Sequence, residues 1–322
     1  MSSPYMKISQ LCIGYTSVLL ENINLELHQG EFIPLLGPNG IGKTTFVKTL
    51  LGLIEQKSGS IELFGKNIED YNYQERAKLI AVSLSESLHT GLMTCYEFIS
   101  LGKLSNTDND SVYSLMEKLN ITALKDHPFN QLSDGQREWV KLARAMIQNT
   151  KIIFLDEPMS HLDIAGKAKM IAILGHHAKE TGASILMSSH DWSTIRKFSS
   201  FIYVIDNNGV FNHLSPEDLI LNKKLNEIYP LENKAMFEDN QGEISLKITA
   251  RFKLNIIVKN ELADFSFDTK KFWLEHALKK MGYNLTSENS LSDITIHKSS
   301  FEFEGESFLS ISSLLQTMAQ KI

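Results

Sequence analysis

Between Lys7 and Glu31 apolar and polar residues alternate, most regularly in Ile23-Asn-Leu-Glu-Leu27 ahead of the Gln29-Gly30 turn. A period of two predicts strands. Phe32-Ile-Pro-Leu-Leu36 is a continuous apolar run and reads as a short buried strand. A glycine-rich stretch follows, and Thr44 to Gly52 then reads as a helix stopped by glycine. Ser58 to Gly65 carries a strand pair with turn residues, Gln74 to Leu79 a helix, and Ile80-Ala-Val-Ser83 a strand. From about Glu86 to Asp134 helical patterns dominate, notably Met93 to Leu101 and Ser111 to Leu119. Elements alternate again through Val140 to Met146, Ile152 to Leu155, Ala168 to Leu174, Ser184 to Met187 and Phe201 to Ile205. Such alternation predicts a parallel sheet flanked by helices, closing near Leu221.

Beyond it the pattern changes. Ile244, Leu246, Ile248, Phe252, Leu254, Ile256 and Val258 alternate with mostly polar neighbours, predicting one long strand or a hairpin. Phe272, Trp273, Ala277, Leu278 and Met281 share a helical face, and short strands follow at Ile294-Thr-Ile296 and Phe301-Glu-Phe303. Ile311, Leu314, Leu315, Met318 and Ile322 mark a last amphipathic helix. This is a small α+β appendage in which Phe272 and Trp273 read as core rather than as a ligand platform.

A length of 322 residues suits one large domain and a smaller one, and 43% apolar residues are enough for both cores. The formal charge of −6, without a block of like charges, argues against a nucleic-acid partner. Cys12 and Cys95 have no metal-like spacing and read as reduced, packed thiols. No stretch approaches the ~18 apolar residues of a membrane span, so the chain is expected to be cytosolic and to need a partner for any membrane role.

Chemistry enters with Gly37-Pro-Asn39-Gly40-Ile-Gly42-Lys43-Thr44-Thr45, which lies between the buried strand and its helix. That is the context of a phosphate-binding loop. Glycines turn backbone N–H groups toward phosphates, Lys43 reaches the β and γ groups, and Thr44 ligates Mg²⁺. The helix start adds a partial positive charge. Asp156, at the end of the apolar strand Ile152-Ile-Phe-Leu155, is a second Mg²⁺ ligand, direct or through water.

The loop, Leu132-Ser133-Asp134-Gly135-Gln136-Arg137 and Asp156-Glu157-Pro158 together resemble the ATP-binding subunits of ABC transporters, over residues 6 to 220. The resemblance implies a P-loop α/β ATPase at 1–222, with an N-terminal antiparallel β subdomain and a helical subdomain at about 86–134. Residues 223–322 then form the accessory α+β domain. It implies that Glu157 is the base polarising the attacking water, that His190 in Ser188-Ser-His-Asp191 touches the γ-phosphate, and that Tyr15 stacks on adenine. Ser160-His161-Leu162-Asp163 matches the loop that contacts an opposite subunit. Asn39, Gly40, Gly42, Lys43, Thr44 and Thr45 would hold ATP, with Ser133, Gly135 and Gln136 completing the site of a second copy in a head-to-tail homodimer. Asp134 replaces the usual glycine and is expected to cap its helix.

One departure concerns the metal. Where the family places a glutamine that ligates Mg²⁺, aligning on Thr94 and Glu97 puts Ser85, with Glu86 beside it. Both are expected to substitute for it, since both suit a hard cation. The loop, the segment Thr94 to Lys103 and the segment Glu157 to Ile164 look like subunits of importers for ferric siderophores, haem or cobalamin. Those work under polytopic permeases fed by a substrate-binding protein, at the cytoplasmic face of the inner or plasma membrane. The competing reading is a soluble ABC ATPase with a regulatory or mechanical-clamp role.

Overall fold

A computed structural model of the chain describes all residues except 1–2, 87–89, 105–109, 223, 230–234, 238–243, 247–251, 259–270, 273, 276, 279–282, 286–292, 298–299 and 321–322. It divides into two compact units, Met1–Pro230 with Asp239–Gly242, and Leu231–Glu238 with Glu243–Ile322.

The first unit opens with a hairpin, β1 (Met6–Gly14) and β2 (Val18–Leu27), whose alternating Met6, Ile8, Leu20, Ile23, Leu25 and Leu27 are buried. Strand β3 is Phe32–Leu36, and β4 (Ser58–Leu63) and β5 (Lys66–Asn67) complete an antiparallel sheet ordered β2-β1-β4-β5. Strands β6 (Ile80–Ser83), β7 (Ile152–Asp156), β8 (Ser184–Ser189), β9 (Ile202–Ile205) and β10 (Phe211–Leu214) join β3 in a second sheet ordered β10-β9-β3-β8-β7-β6. All its neighbours pair in parallel except β10 on β9. Strands β7 and β8 are buried along their whole length, which explains apolar runs in place of alternation. The loops after β3, β6, β7 and β8 therefore leave the same end of the sheet, where open α/β folds bind ligands.

Helix α1 (Lys43–Leu50) sends Phe46, Val47 and Leu50 into the core shared with β1 and β3. Helices α2 (Tyr73–Leu79) and α3 (Cys95–Ser100) each begin in a reciprocal capping box, Asn72 with Glu75 and Thr94 with Glu97. Helices α3, α4 (Asp110–Leu119) and α5 (Asp134–Ile147) form the helical part, in which Phe98 stacks on Phe129 at 4.3 Å. Helix α6 (Ile164–Thr181) is longer than the Ala168 to Leu174 expected, because Asp163 caps its start and Gly182, at φ +70°, ends it. Helices α7 (Trp192–Phe198), α8 (Pro216–Leu221) and α9 (Leu225–Ile228) complete the unit, which runs past the boundary expected at 222.

In the second unit β11 (Ala235–Phe237) pairs antiparallel with β12 (Ile244–Leu246). Strand β13 (Phe252–Val258) lies between β14 (Tyr283–Leu285) and β15 (Asp293–Ile296), parallel to both, and β16 (Phe301–Phe303) and β17 (Glu306–Phe308) follow antiparallel. The periodic residues from Ile244 to Val258 are thus split between two sheets, so β12 and β13 are not partners in a hairpin. The helix Ile311–Gln320 buries Leu314 and Met318 in a core with Leu274, Leu278, Ile294, Ile296 and Phe301. Ile248, Trp273, Met281 and Ile322 lie outside the described residues.

Candidate functional site

The loop between β3 and α1 takes a path that L side chains resist. Gly42, which caps α1, has φ +114°, and a Cβ there would sit 2.6 Å from Leu19 Cδ2. Gly42 offers no side chain to the first turn of α1, whose N–H groups are left for a ligand. Asn39 and Gly40 are exposed at the loop tip. Lys43, only 5% exposed, folds inward. Its Nζ donates to Gly37 O at 2.8 Å and Pro38 O at 3.0 Å and pairs with Glu157 Oε1 at 3.1 Å. Thr45 is buried beneath it, and its carbonyl accepts from Thr49 Oγ1 at 3.0 Å. Leu19 belongs to the β1–β2 hairpin, so the same approach of Leu19 to Gly42 brings that hairpin's turn, with Tyr15 64% exposed on it, to the loop.

Strand β7 ends in Asp156, 2% exposed, and three hydroxyls donate to its carboxylate. Thr44 Oγ1 reaches Oδ2 at 2.8 Å, Ser85 Oγ the same oxygen at 2.7 Å, and Ser188 Oγ reaches Oδ1 at 2.7 Å. Ser188 also accepts from the N–H of Glu157 at 2.9 Å. That fixes the backbone of a residue whose φ of +52° lies in the left-handed region, a conformation that costs a non-glycine residue roughly 1–2 kcal/mol. The carboxylate of Glu157 is split between two partners, Lys43 on Oε1 and His190 Nδ1 on Oε2 at 2.8 Å.

Sequence reading missed Ser188 as the residue that holds the Asp156 carboxylate and the Glu157 backbone. Its signal was a serine in an apolar strand, at a position that the β7–β8 register sets opposite Asp156.

His190 follows β8, and Asp191 anchors the next turn. Asp191 Oδ1 accepts from the N–H of Thr194 at 3.0 Å and from Ser193 Oγ at 2.8 Å; Oδ2 accepts from Lys167 Nζ at 2.6 Å and Thr194 Oγ1 at 2.8 Å. Burial pushes this carboxyl up, but the bonds from Lys167, Thr194 and Ser193 outweigh it and leave it well below the usual carboxylate range. Ser160 Oγ donates to Glu157 O at 3.0 Å, which ties the following loop to the same corner.

Asp134 and Arg137, in the first turn of α5, line a pocket together with Ser85 and Glu86. Ser133 is the cap: its Oγ accepts from the N–H of Gln136 at 3.3 Å, and Gln136 Oε1 accepts from the N–H of Ser133 at 2.9 Å. Asp134 does not cap, contrary to expectation. It is the first residue inside the helix, where its Oδ1 pairs with Arg137 Nη1 at 2.9 Å, while the extended backbone needed for a cap belongs to Ser133. A Cβ on Gly135 would meet His161 O at 3.1 Å, so this helix start is packed against the 160–163 loop of its own chain.

Thr44, Ser85 and Asp156 thus share one oxygen-rich corner. Glu86 does not join it, because its carboxylate pairs with Lys48, a bond that raises the pKa of Lys48. Among the described residues no group of three or more His, Cys, Asp and Glu side chains forms a metal cage. Two hydroxyls and a carboxylate fit Mg²⁺, which keeps phosphate and water oxygens in its shell rather than an all-protein cage. No helix among the described residues is long and apolar enough to cross a membrane.

Residues 20–160 match the family described as ABC transporter. An ABC transporter ATP-binding protein of Methanocaldococcus jannaschii is 32% identical over 75% of this chain and 87% of its own length. The iron(3+)-hydroxamate import ATP-binding protein of Bacillus subtilis is 27% identical, over 70% of this chain and 88% of that protein. Among solved structures, a protein from Clostridium perfringens that is part of an ABC transporter complex superimposes with a TM-score of 0.60 at 26% identity, covering 71% of this chain and 97% of that one. The chain belongs to the ATP-binding proteins of ABC transporters, and its reaction is the hydrolysis of ATP.

Proposed function

We propose that the chain powers an importer for a ferric chelate, a siderophore, haem or cobalamin, working as a head-to-tail homodimer beneath polytopic permease subunits at the cytoplasmic face of the membrane. The observation that carries this reading is the likeness to the B. subtilis hydroxamate importer's ATPase along 88% of that protein. In this reading Tyr15 stacks on adenine, and Asn39, Gly40, Gly42, Lys43, Thr44 and Thr45 enclose the phosphates. Ser133, Gly135 and Gln136 of the second copy close over the γ-phosphate. Lys43 leaves Glu157 for the phosphates, and the released Glu157 carboxylate accepts a proton from the attacking water while His190 holds its other oxygen. A Mg²⁺ ion held by Thr44, Ser85 and Asp156 would neutralise charge on the β- and γ-oxygens. The substrate-binding protein acts only through the permease.

An affinity pull-down from detergent-solubilised native membranes tests the assignment. A polytopic permease is expected to stay bound; recovery of soluble partners alone would favour the clamp or regulatory reading. The metal assignment has its own test, since Ser85 and Glu86 have different neighbours. Ser85→Ala is expected to raise the Mg²⁺ concentration for half-maximal ATP turnover by about tenfold, the weight of one charge-assisted bond near 1.5 kcal/mol. Glu86→Ala should leave it within about twofold, and an unchanged Mg²⁺ dependence in the double variant would remove Ser85 from the metal site.

A further inference from the structure

We propose that Tyr229 is a positioning residue for ATP hydrolysis, holding through its phenol the backbone of the loop that carries His190. The Tyr229 hydroxyl donates to the carbonyl oxygen of His190 at 3.3 Å. That carbonyl also accepts from the N–H of Trp192 at 3.1 Å, so the peptide joining His190 to Asp191 is gripped from inside the loop and from outside it. The outside grip comes from a fixed point. Tyr229 closes the last turn of α9 through its N–H to Leu225 O at 2.8 Å, and Leu225 and Ile228 are both 2% exposed. Asn207 Nδ2 donates to Glu227 O at 2.7 Å and ties the same turn to the end of β9.

The neighbours of the phenol locate it functionally. Burial pushes its pKa well above the ordinary tyrosine value, and the charges of Glu157 and Asp191 push the same way. Tyr229 is therefore a protonated donor at every working pH, and it lies within electrostatic reach of the carboxylate assigned as the base. His190 needs such a support. Its imidazole is 44% exposed and is held by the bond from Nδ1 to Glu157 Oε2. The four donors described above fix Asp191, one residue further on. Tyr229, with the Trp192 N–H, constrains the carbonyl of His190 itself and so the backbone from which the ring reaches Glu157.

Nothing in the ATP-binding motifs points to this residue, which lies well outside them on the segment leading to the second unit. The inference rests on the reading of His190 and Glu157 as hydrolytic groups. Tyr229→Phe keeps the buried ring and removes only the hydroxyl. We expect kcat for ATP to fall about three- to tenfold, the range of one lost hydrogen bond, with KM unchanged and the melting temperature within two or three degrees of the parent. In a ¹³C-histidine-labelled sample the ring resonance of His190, identified by its loss in His190→Ala, should shift while those of the other histidines stay in place. An unchanged kcat, a loss shared between kcat, KM and melting temperature, or an unmoved His190 resonance would each overturn the proposal. His190→Ala with parental turnover would instead sink the reading of the site on which it rests.

Discussion

Glu157→Gln is expected to lower ATP turnover by about 10²- to 10⁴-fold, the span usually supplied by a positioned general base, while nucleotide stays bound. The amide keeps the size of the side chain and retains a partner for His190 Nδ1. It loses the negative charge that pairs with Lys43 Nζ at 3.1 Å, so the lysine passes to the phosphates at no cost in a broken ion pair. Binding and turnover should therefore separate. With ATP and Mg²⁺ the variant should elute as a dimer on gel filtration, because ATP closing two shared sites is no longer consumed. Turnover within tenfold of the parent would remove Glu157 from the chemistry, and a species that stays monomeric with ATP would count against shared sites.

Lys43→Met should act on the opposite half of the reaction. Methionine fills similar space but carries no charge, and each charge-assisted bond lost to the phosphates is worth about 1.5–3 kcal/mol, so ATP affinity should fall on the order of 10²-fold or more. The change also strips Glu157 Oε1 of its cation in a half-buried setting, and breaking one side of a well-buried pair costs up to about 3–5 kcal/mol. The single variant should accordingly unfold at lower urea. Adding Glu157→Gln, which removes the stranded charge, should recover most of that loss but none of the affinity. A fluorescent-nucleotide titration and urea melts on the three proteins separate the two effects. Unchanged ATP affinity in Lys43→Met would mean that the loop does not hold phosphate through this residue.

The parts of the fold legible in the chain were those in which one local rule dominates. Strand β7 and the phosphate loop announce themselves because burial on both faces demands an unbroken apolar run and because a left-handed turn demands glycine at 42. The carboxylate pair Asp156 and Glu157 was legible for the same reason, as charges at the end of such a run. Relations between distant segments were less visible. Ser188 reads as one more polar residue until the register of β7 on β8 sets it beside Asp156. Glu86 read as a metal ligand from its chemistry alone, but Lys48 on α1 provides a nearer cation. Asp134 read as a cap because a carboxylate facing a phosphate would be repelled toward its own helix, while the backbone gave that place to Ser133 one position earlier. In the second unit alternation marked the strands, yet periodicity carries no information about partners, and β12 and β13 went to separate sheets.

The left-handed backbone at Glu157 has an evolutionary consequence. Glycine adopts that conformation freely, so of all replacements there it is the one that relieves the backbone, but it strips Lys43, 5% exposed, of its carboxylate partner. The relief, roughly 1–2 kcal/mol, is smaller than the up to about 3–5 kcal/mol that a stranded partner in a well-buried pair costs, so a population selected only for remaining folded would still keep a carboxylate at 157.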